Sequence, residues 1–115
     1  MHTKCSVYRA MNFIGKRWSL LILLELYKGG GSRRYSGLKK TLSDITGKML
    51  SARLKELEKE RLITKKVRTE PEIISEYSLT ESGKELVDII KKIKKWSNKW
   101  KHGRCDDKDC KDCEI

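Results

Sequence analysis

The sequence predicts a mainly α fold with a small β-hairpin, arranged as a winged helix-turn-helix with dimerisation helices at its N- and C-terminal ends. Three observations carry this. Residues 35–80 read as a short helix, a tight turn, a second helix and a basic hairpin, in that order. Apolar residues at helical spacing flank that block on both sides. The formal net charge of +11 on 115 residues suits a polyanionic partner.

The elements follow in order. Val7, Met11 and Ile14 lie at helical spacing, and Gly15 is a C-terminal stop. Trp18 to Tyr27 is apolar almost all round and is expected to be the most buried helix. Gly29 to Gly31 ends it. A third helix spans Tyr35 to Leu42, with Ser36 as candidate N-cap. Ser43 to Thr46 is the turn, and Thr46 is placed to cap a helix from Gly47 to Lys59. Leu62 to Thr69 and Ile74 to Leu79 alternate as strands joined through Glu70, Pro71 and Glu72. Pro71 lacks a backbone donor, which suits the hairpin tip. Thr80 caps a last helix running to about Lys101.

That last helix carries Leu86, Ile89, Ile93, Trp96 and Trp100, spaced 3, 4, 3 and 4. The spacing is that of a coiled-coil seam. The alternative is a helix packed on its own domain. A subunit interface is favoured, because two Trp residues at the far end of a long helix otherwise leave an apolar patch in water.

At about 100° per residue, Leu50, Leu54 and Leu57 fall in a narrow arc of the Gly47–Lys59 helix. Lys48, Ser51, Ala52 and Lys55 fall opposite, and Arg53 sits at the flank. Small residues let a helix enter the major groove of double-stranded DNA, while Lys and Ser reach phosphates and base edges. An isolated helix of this kind is more often merely solvated. The preceding turn and the following hairpin, with Lys65, Lys66 and Arg68 on it, shift the balance towards DNA binding. Arg33 and Arg34 are candidates to clamp a phosphate beside the third helix.

These pieces together resemble the HxlR-type winged helix-turn-helix transcriptional regulators, a MarR-related group. The likeness rests on Cys5, IGKRWSLLILLEL at 14–26, RYSGLKK at 34–40, ITGKMLSARLKELEKERLI at 45–63 and EYSLTESGKEL at 76–86. It implies a homodimer on a palindromic operator, paired through the first and last helices, with Val7 and Met11 of the first helix at the interface. It also implies that 47–59 is the recognition helix and 65–79 the wing. Cys5 matches the position at which some members sense oxidants or electrophiles.

The tail departs from that pattern. Residues 105–115 hold five acidic and two basic side chains, a net of −3, so the other 104 carry +14. A boundary is therefore expected after residue 104. Cys105, Cys110 and Cys113 are candidate metal ligands. His102 would complete a Cys3His zinc set, or Cys5 would be the fourth ligand, and the spacing also echoes iron–sulfur ligation. The remaining readings are redox-active thiols or an inert tail. No export signal is visible, so a secreted disulfide framework is not expected and the cytoplasm is.

Other function classes fare worse. The longest apolar run, Leu20 to Leu24, is too short to cross a bilayer. No nucleophile–base pair is visible, the only histidines are His2 and His102, and Gly29 to Gly31 lacks the context of a phosphate loop, so an enzyme is not expected. An architectural or RNA-binding protein that coats nucleic acid without base readout is the alternative.

Overall fold

The computed structural model describes residues 4–101. Its elements are α1 (Ser6–Ile14), α2 (Ser19–Lys28), β1 (Ser32–Arg34), α3 (Tyr35–Thr41), α4 (Gly47–Lys59), β2 (Ile63–Arg68), β3 (Ile74–Leu79) and α5 (Glu81–Trp100). The predicted mainly α winged helix-turn-helix is the fold observed, with one strand more than expected.

The core is built around α2. Ile22 to Leu26 are buried without a break, as expected of a helix apolar all round. Against it pack Leu38 of α3, the Leu50, Leu54 and Leu57 stripe of α4, Tyr77 and Leu79 of β3, and Val87 and Ile90 of α5. Each fully buried leucine contributes about 1.5–3 kcal/mol of transfer free energy. The helix starts one residue later than the sequence suggests. Trp18 takes a left-handed conformation, φ 82°, at the N-cap position. Its ring packs against the core, with the Arg17 guanidinium 5.0 Å from the ring centroid.

Gly30 (φ 80°) and Gly31 (φ 104°) follow α2 in the region that favours glycine. The Gly31 carbonyl accepts from Leu79 N at 2.8 Å. That turn delivers Ser32 to Arg34 to the sheet as β1, which the sequence reading missed. The sheet is antiparallel in the order β1-β3-β2, so the wing hairpin gains a third strand. Arg34 leads directly into α3 and takes the N-cap position without a side-chain cap bond. Ser36 lies within the helix and is not the cap, because the strand leaves no room for a separate cap two residues later.

α4 ends in a Schellman arrangement. Leu62 N donates to Leu57 O and Arg61 N to Glu58 O, both at 3.0 Å, with Arg61 at φ 62° where glycine is usual. Thr80 then fixes the start of α5. Its Oγ1 accepts from Gly83 N at 3.1 Å and donates to Arg61 O at 2.7 Å. Among the described residues, no helix is long and apolar enough to cross a membrane.

Candidate nucleic-acid interface

The turn between α3 and α4 is held from both sides. Ile45 is buried and donates its amide to Leu42 O at 3.1 Å, which anchors the turn in the core. Thr46 Oγ1 accepts from Met49 N at 3.1 Å, the expected N-cap of α4. The Tyr35 hydroxyl donates to Gly47 O at 3.3 Å and lies 3.5 Å from Ser51 Oγ. One phenol therefore joins the first turn of α3 to the first turn of α4 and fixes their crossing. Tyr35 was not singled out from the sequence, because a tyrosine opening a short helix carries no local signal of its partner twelve residues on.

The two sides of α4 are as the periodicity predicts. Leu50, Leu54 and Leu57 are buried, and Lys48, Ser51, Ala52 and Lys55 are exposed. Arg53, on the flank, turns to the acidic neighbour. Its Nη1 donates to Glu56 Oε1 at 2.9 Å, and the same oxygen accepts from Lys16 Nζ at 2.9 Å. Lys16 lies between α1 and α2, so Glu56 ties the base of the N-terminal helix to α4. These two cations, Lys16 first, hold the Glu56 carboxyl below the usual carboxylate range against a raising contribution from burial. The Arg53–Glu56 spacing of three was legible as a helix pair, but Lys16 was not.

The two arginines before α3 part company. Arg33 Nε donates to Glu25 O at 2.7 Å and its Nη2 lies 3.9 Å from Glu25 Oε2, so it is committed to the end of α2. Arg34 is exposed. On the wing, Lys65, Lys66 and Arg68 are all exposed, but alternation splits them. Lys65 lies over the Tyr77 ring at 5.9 Å, while Lys66 and Arg68 share the opposite face with Arg34.

The residues expected at a subunit interface are mostly uncovered in the single chain. Val7, Met11, Ile89, Ile93, Trp96 and Trp100 are each about half exposed or more, Trp100 reaching 66%. Leu86 differs, being partly buried and packed against the core. α5 thus has one stripe, Gly83, Val87 and Ile90, turned into its own domain and another turned outward.

Cys5 takes the N-cap position of α1, with extended backbone, and is a partly exposed free thiol. The proposed metal ligands His102, Cys105, Cys110 and Cys113 lie outside the described residues. Among the described residues, Cys5 included, no group of three or more His, Cys, Asp or Glu side chains could hold a metal ion.

This architecture, a crossed helix pair followed by a wing, is that of the winged helix-turn-helix transcriptional regulators. The HxlR-like helix-turn-helix family matches over residues 13–104, most of the chain, and the protein belongs to that family. Its relatives include the uncharacterised regulator YvaP of Bacillus subtilis, 40% identical over 92 residues, covering 80% of this chain and 83% of YvaP. A MarR-family regulator from Porphyromonas gingivalis superposes with a TM-score of 0.75 at 33% identity, covering 84% of this chain and 93% of the other. The reduced form of YodB from B. subtilis gives 0.73 at 31%, covering 86% and 96%. YodB has also been solved with quinone bound, and that form gives 0.71 at 32%, covering 87% and 100%.

Proposed function

We propose that this protein is a cytoplasmic homodimer that binds a palindromic operator in double-stranded DNA through α4 and the wing. The observation that carries the reading is the division of α4. Leu50, Leu54 and Leu57 fix it to the core, while Lys48, Ser51, Ala52 and Lys55 stand in solvent on a helix clamped at its start by Thr46 and Tyr35. A helix with small residues among basic ones can sink into a major groove and place donors at base edges. Arg34, Lys66 and Arg68 supply phosphate contacts that set register, and Lys65, on the opposite face of the sheet, contributes to the general positive field. Arg33 and Arg53 support the site from within, through Glu25 and Glu56.

Dimerisation follows from the outward stripe of α5 and the exposed Val7 and Met11. Helix seams of this spacing are covered by a second helix. Two copies related by a twofold axis would present two copies of α4 to half-sites about 10–10.5 base pairs apart, or a multiple of that.

Cys5 is the proposed redox or electrophile sensor. The support is its position on α1, which Glu56 and Lys16 connect to α4, and the relationship to YodB, which has been solved in reduced and quinone-bound forms. A thiol adduct at the start of α1 would act on the helix that the interface uses and whose far end leads into the Lys16 contact.

Selection of bound duplexes from a random pool, followed by footprinting, tests the reading. One enriched palindrome with a bounded footprint is expected. Equal retention of all sequences, with coating that spreads at higher protein concentration, would instead support an architectural role and sink the operator reading.

A further inference from the structure

The wing sheet sorts its charges by face. Register pairs Arg34 of β1 with Glu76 of β3, and Glu76 in turn with Lys66 of β2. The next pair on the same face of β2 and β3 is Arg68 with Ile74. Successive strand residues point to opposite faces, so Arg33, Tyr77 and Lys65 belong to the other side. The side chains agree. Arg33 reaches Glu25 and Lys65 lies over Tyr77, whereas Arg34, Lys66, Arg68, Ile74 and Glu76 line one shallow hollow of about 150 Å3. At ~30 Å3 per water that is room for a few water-sized groups, enough for one phosphate.

The hollow holds three cations and one carboxylate, a net of +2. Among the described residues, none of Arg34, Lys66 and Arg68 has an ion-pair partner, although Glu76 sits in register between two of them. Opposite charges directly across strands ordinarily attract. Here the carboxylate leaves all three cations available while lowering the positive potential they create together.

We propose that this outer face of the wing sheet is a phosphate seat for the DNA backbone, formed by Arg34, Lys66 and Arg68, and that Glu76 limits how tightly it holds duplex of any sequence. The proposal rests on the reading of α4 as the helix that enters the groove. It assigns Arg34, from a strand outside the hairpin, to the same phosphate contact as the wing. It excludes Lys65 from that contact. A seat tempered by its own carboxylate keeps sequence-independent affinity low, so that the base contacts of α4 decide where the protein stays.

The test is an anisotropy titration of the full chain with its selected operator and with a scrambled duplex, over a series of salt concentrations. Arg34→Gln, Lys66→Gln and Arg68→Gln should each weaken both duplexes by the same factor, about three- to tenfold at low salt, and reduce the log–log salt slope by up to about one. Glu76→Gln should tighten both duplexes by a similar factor. Lys65→Gln should change the slope least. Thermal melts identify variants that remain folded, and Glu76→Gln, which gains affinity, cannot be mistaken for an unfolded protein. Unchanged slopes in the three cation variants, or an effect on one duplex only, would overturn the seat. Failure of the α4 reading shows separately, as a wild-type protein that does not prefer operator over scrambled DNA. Inorganic phosphate at matched ionic strength distinguishes a free anion as the occupant. If it binds at Arg34 and Arg68 while DNA binding ignores those residues, the assignment to DNA is wrong.

Discussion

Lys16 and Glu56, forty residues apart in the chain, meet through a 2.9 Å hydrogen bond from Nζ to Oε1. The bond joins the segment after α1 to α4, and Arg53 shares the same acceptor oxygen. Among the described residues, the other oxygen, Oε2, finds no hydrogen-bond partner, nor does Arg53 Nε. The carboxylate is therefore held by one oxygen at a helix junction. Lys16 and Glu56 are both substantially exposed, and pairs of that kind are worth about 0–1 kcal/mol, so the contact positions helices more than it stabilises the fold.

The pH dependence follows from the lowered Glu56 pKa. A carboxyl whose folded value lies below its unfolded value contributes stability that is fully present above the unfolded pKa. That contribution is lost as pH falls through the folded one. Denaturant midpoints across the acid range should therefore decline less steeply for Glu56→Gln than for the wild type, while the two differ most at neutral pH. Parallel acid limbs in the two proteins would contradict this.

Gly83 is the glycine for which substitution should matter most. A Cβ there would collide with the Leu62 carbonyl oxygen and come within 3.2 Å of Leu79 Cδ2. The first turn of α5 can approach the root of the wing only without a side chain. Gly83→Ala should destabilise by roughly 1–3 kcal/mol in equilibrium denaturation, the range of overpacked sites. Gly37→Ala is the opposite case. Nothing lies within 4 Å of a Cβ at Gly37 in α3, so the helix propensity of alanine should add about 0.5–1 kcal/mol.

The two threonine caps should not be equal. Thr46→Ala removes one cap bond, to Met49 N, and should cost about 1 kcal/mol. Thr80→Ala removes the cap bond to Gly83 N and also the 2.7 Å bond to Arg61 O, so its cost should be larger, about 2 kcal/mol. Thr80→Ser should recover most of the loss. Denaturant melts of the three variants provide the comparison.

If the outward stripe of α5 is a subunit seam, Ile93→Lys with Trp96→Lys should give a monomer in sedimentation while preserving the far-ultraviolet circular dichroism. Both positions are about half exposed in the single chain, so a folded monomer pays little for the change. A dimer that persists in this double variant would place the subunit contact elsewhere.

Much of this fold was legible in periodicity. The leucine stripe of α4, the caps at Thr46 and Thr80 and the hairpin at Pro71 announce themselves within a few residues. The parts that escaped depend on distant partners. β1 is three residues, too short to alternate, and becomes a strand only because Gly30 and Gly31 turn it onto β3. Trp18 adopts a left-handed backbone that no local preference predicts. Arg33 and Arg34 look alike in the sequence, and only the pleat sends one to Glu25 and the other to the wing's outer face. In the site, the exposed face of α4 was legible, whereas the Tyr35 clamp and the Lys16–Glu56 junction were not.

The bonds at the start of α5 have a mechanical consequence. Thr80 Oγ1 holds the Arg61 carbonyl, Thr80 N donates to the Leu62 carbonyl at 3.0 Å, and Gly83, having no Cβ, leaves room for that same carbonyl. These groups form a junction where α4 ends and the wing begins. α5 extends from it for twenty residues, an arm of about 30 Å. α5 is also packed into the core at Val87 and Ile90, so the junction is braced twice, by these bonds and by the core beneath the following turns.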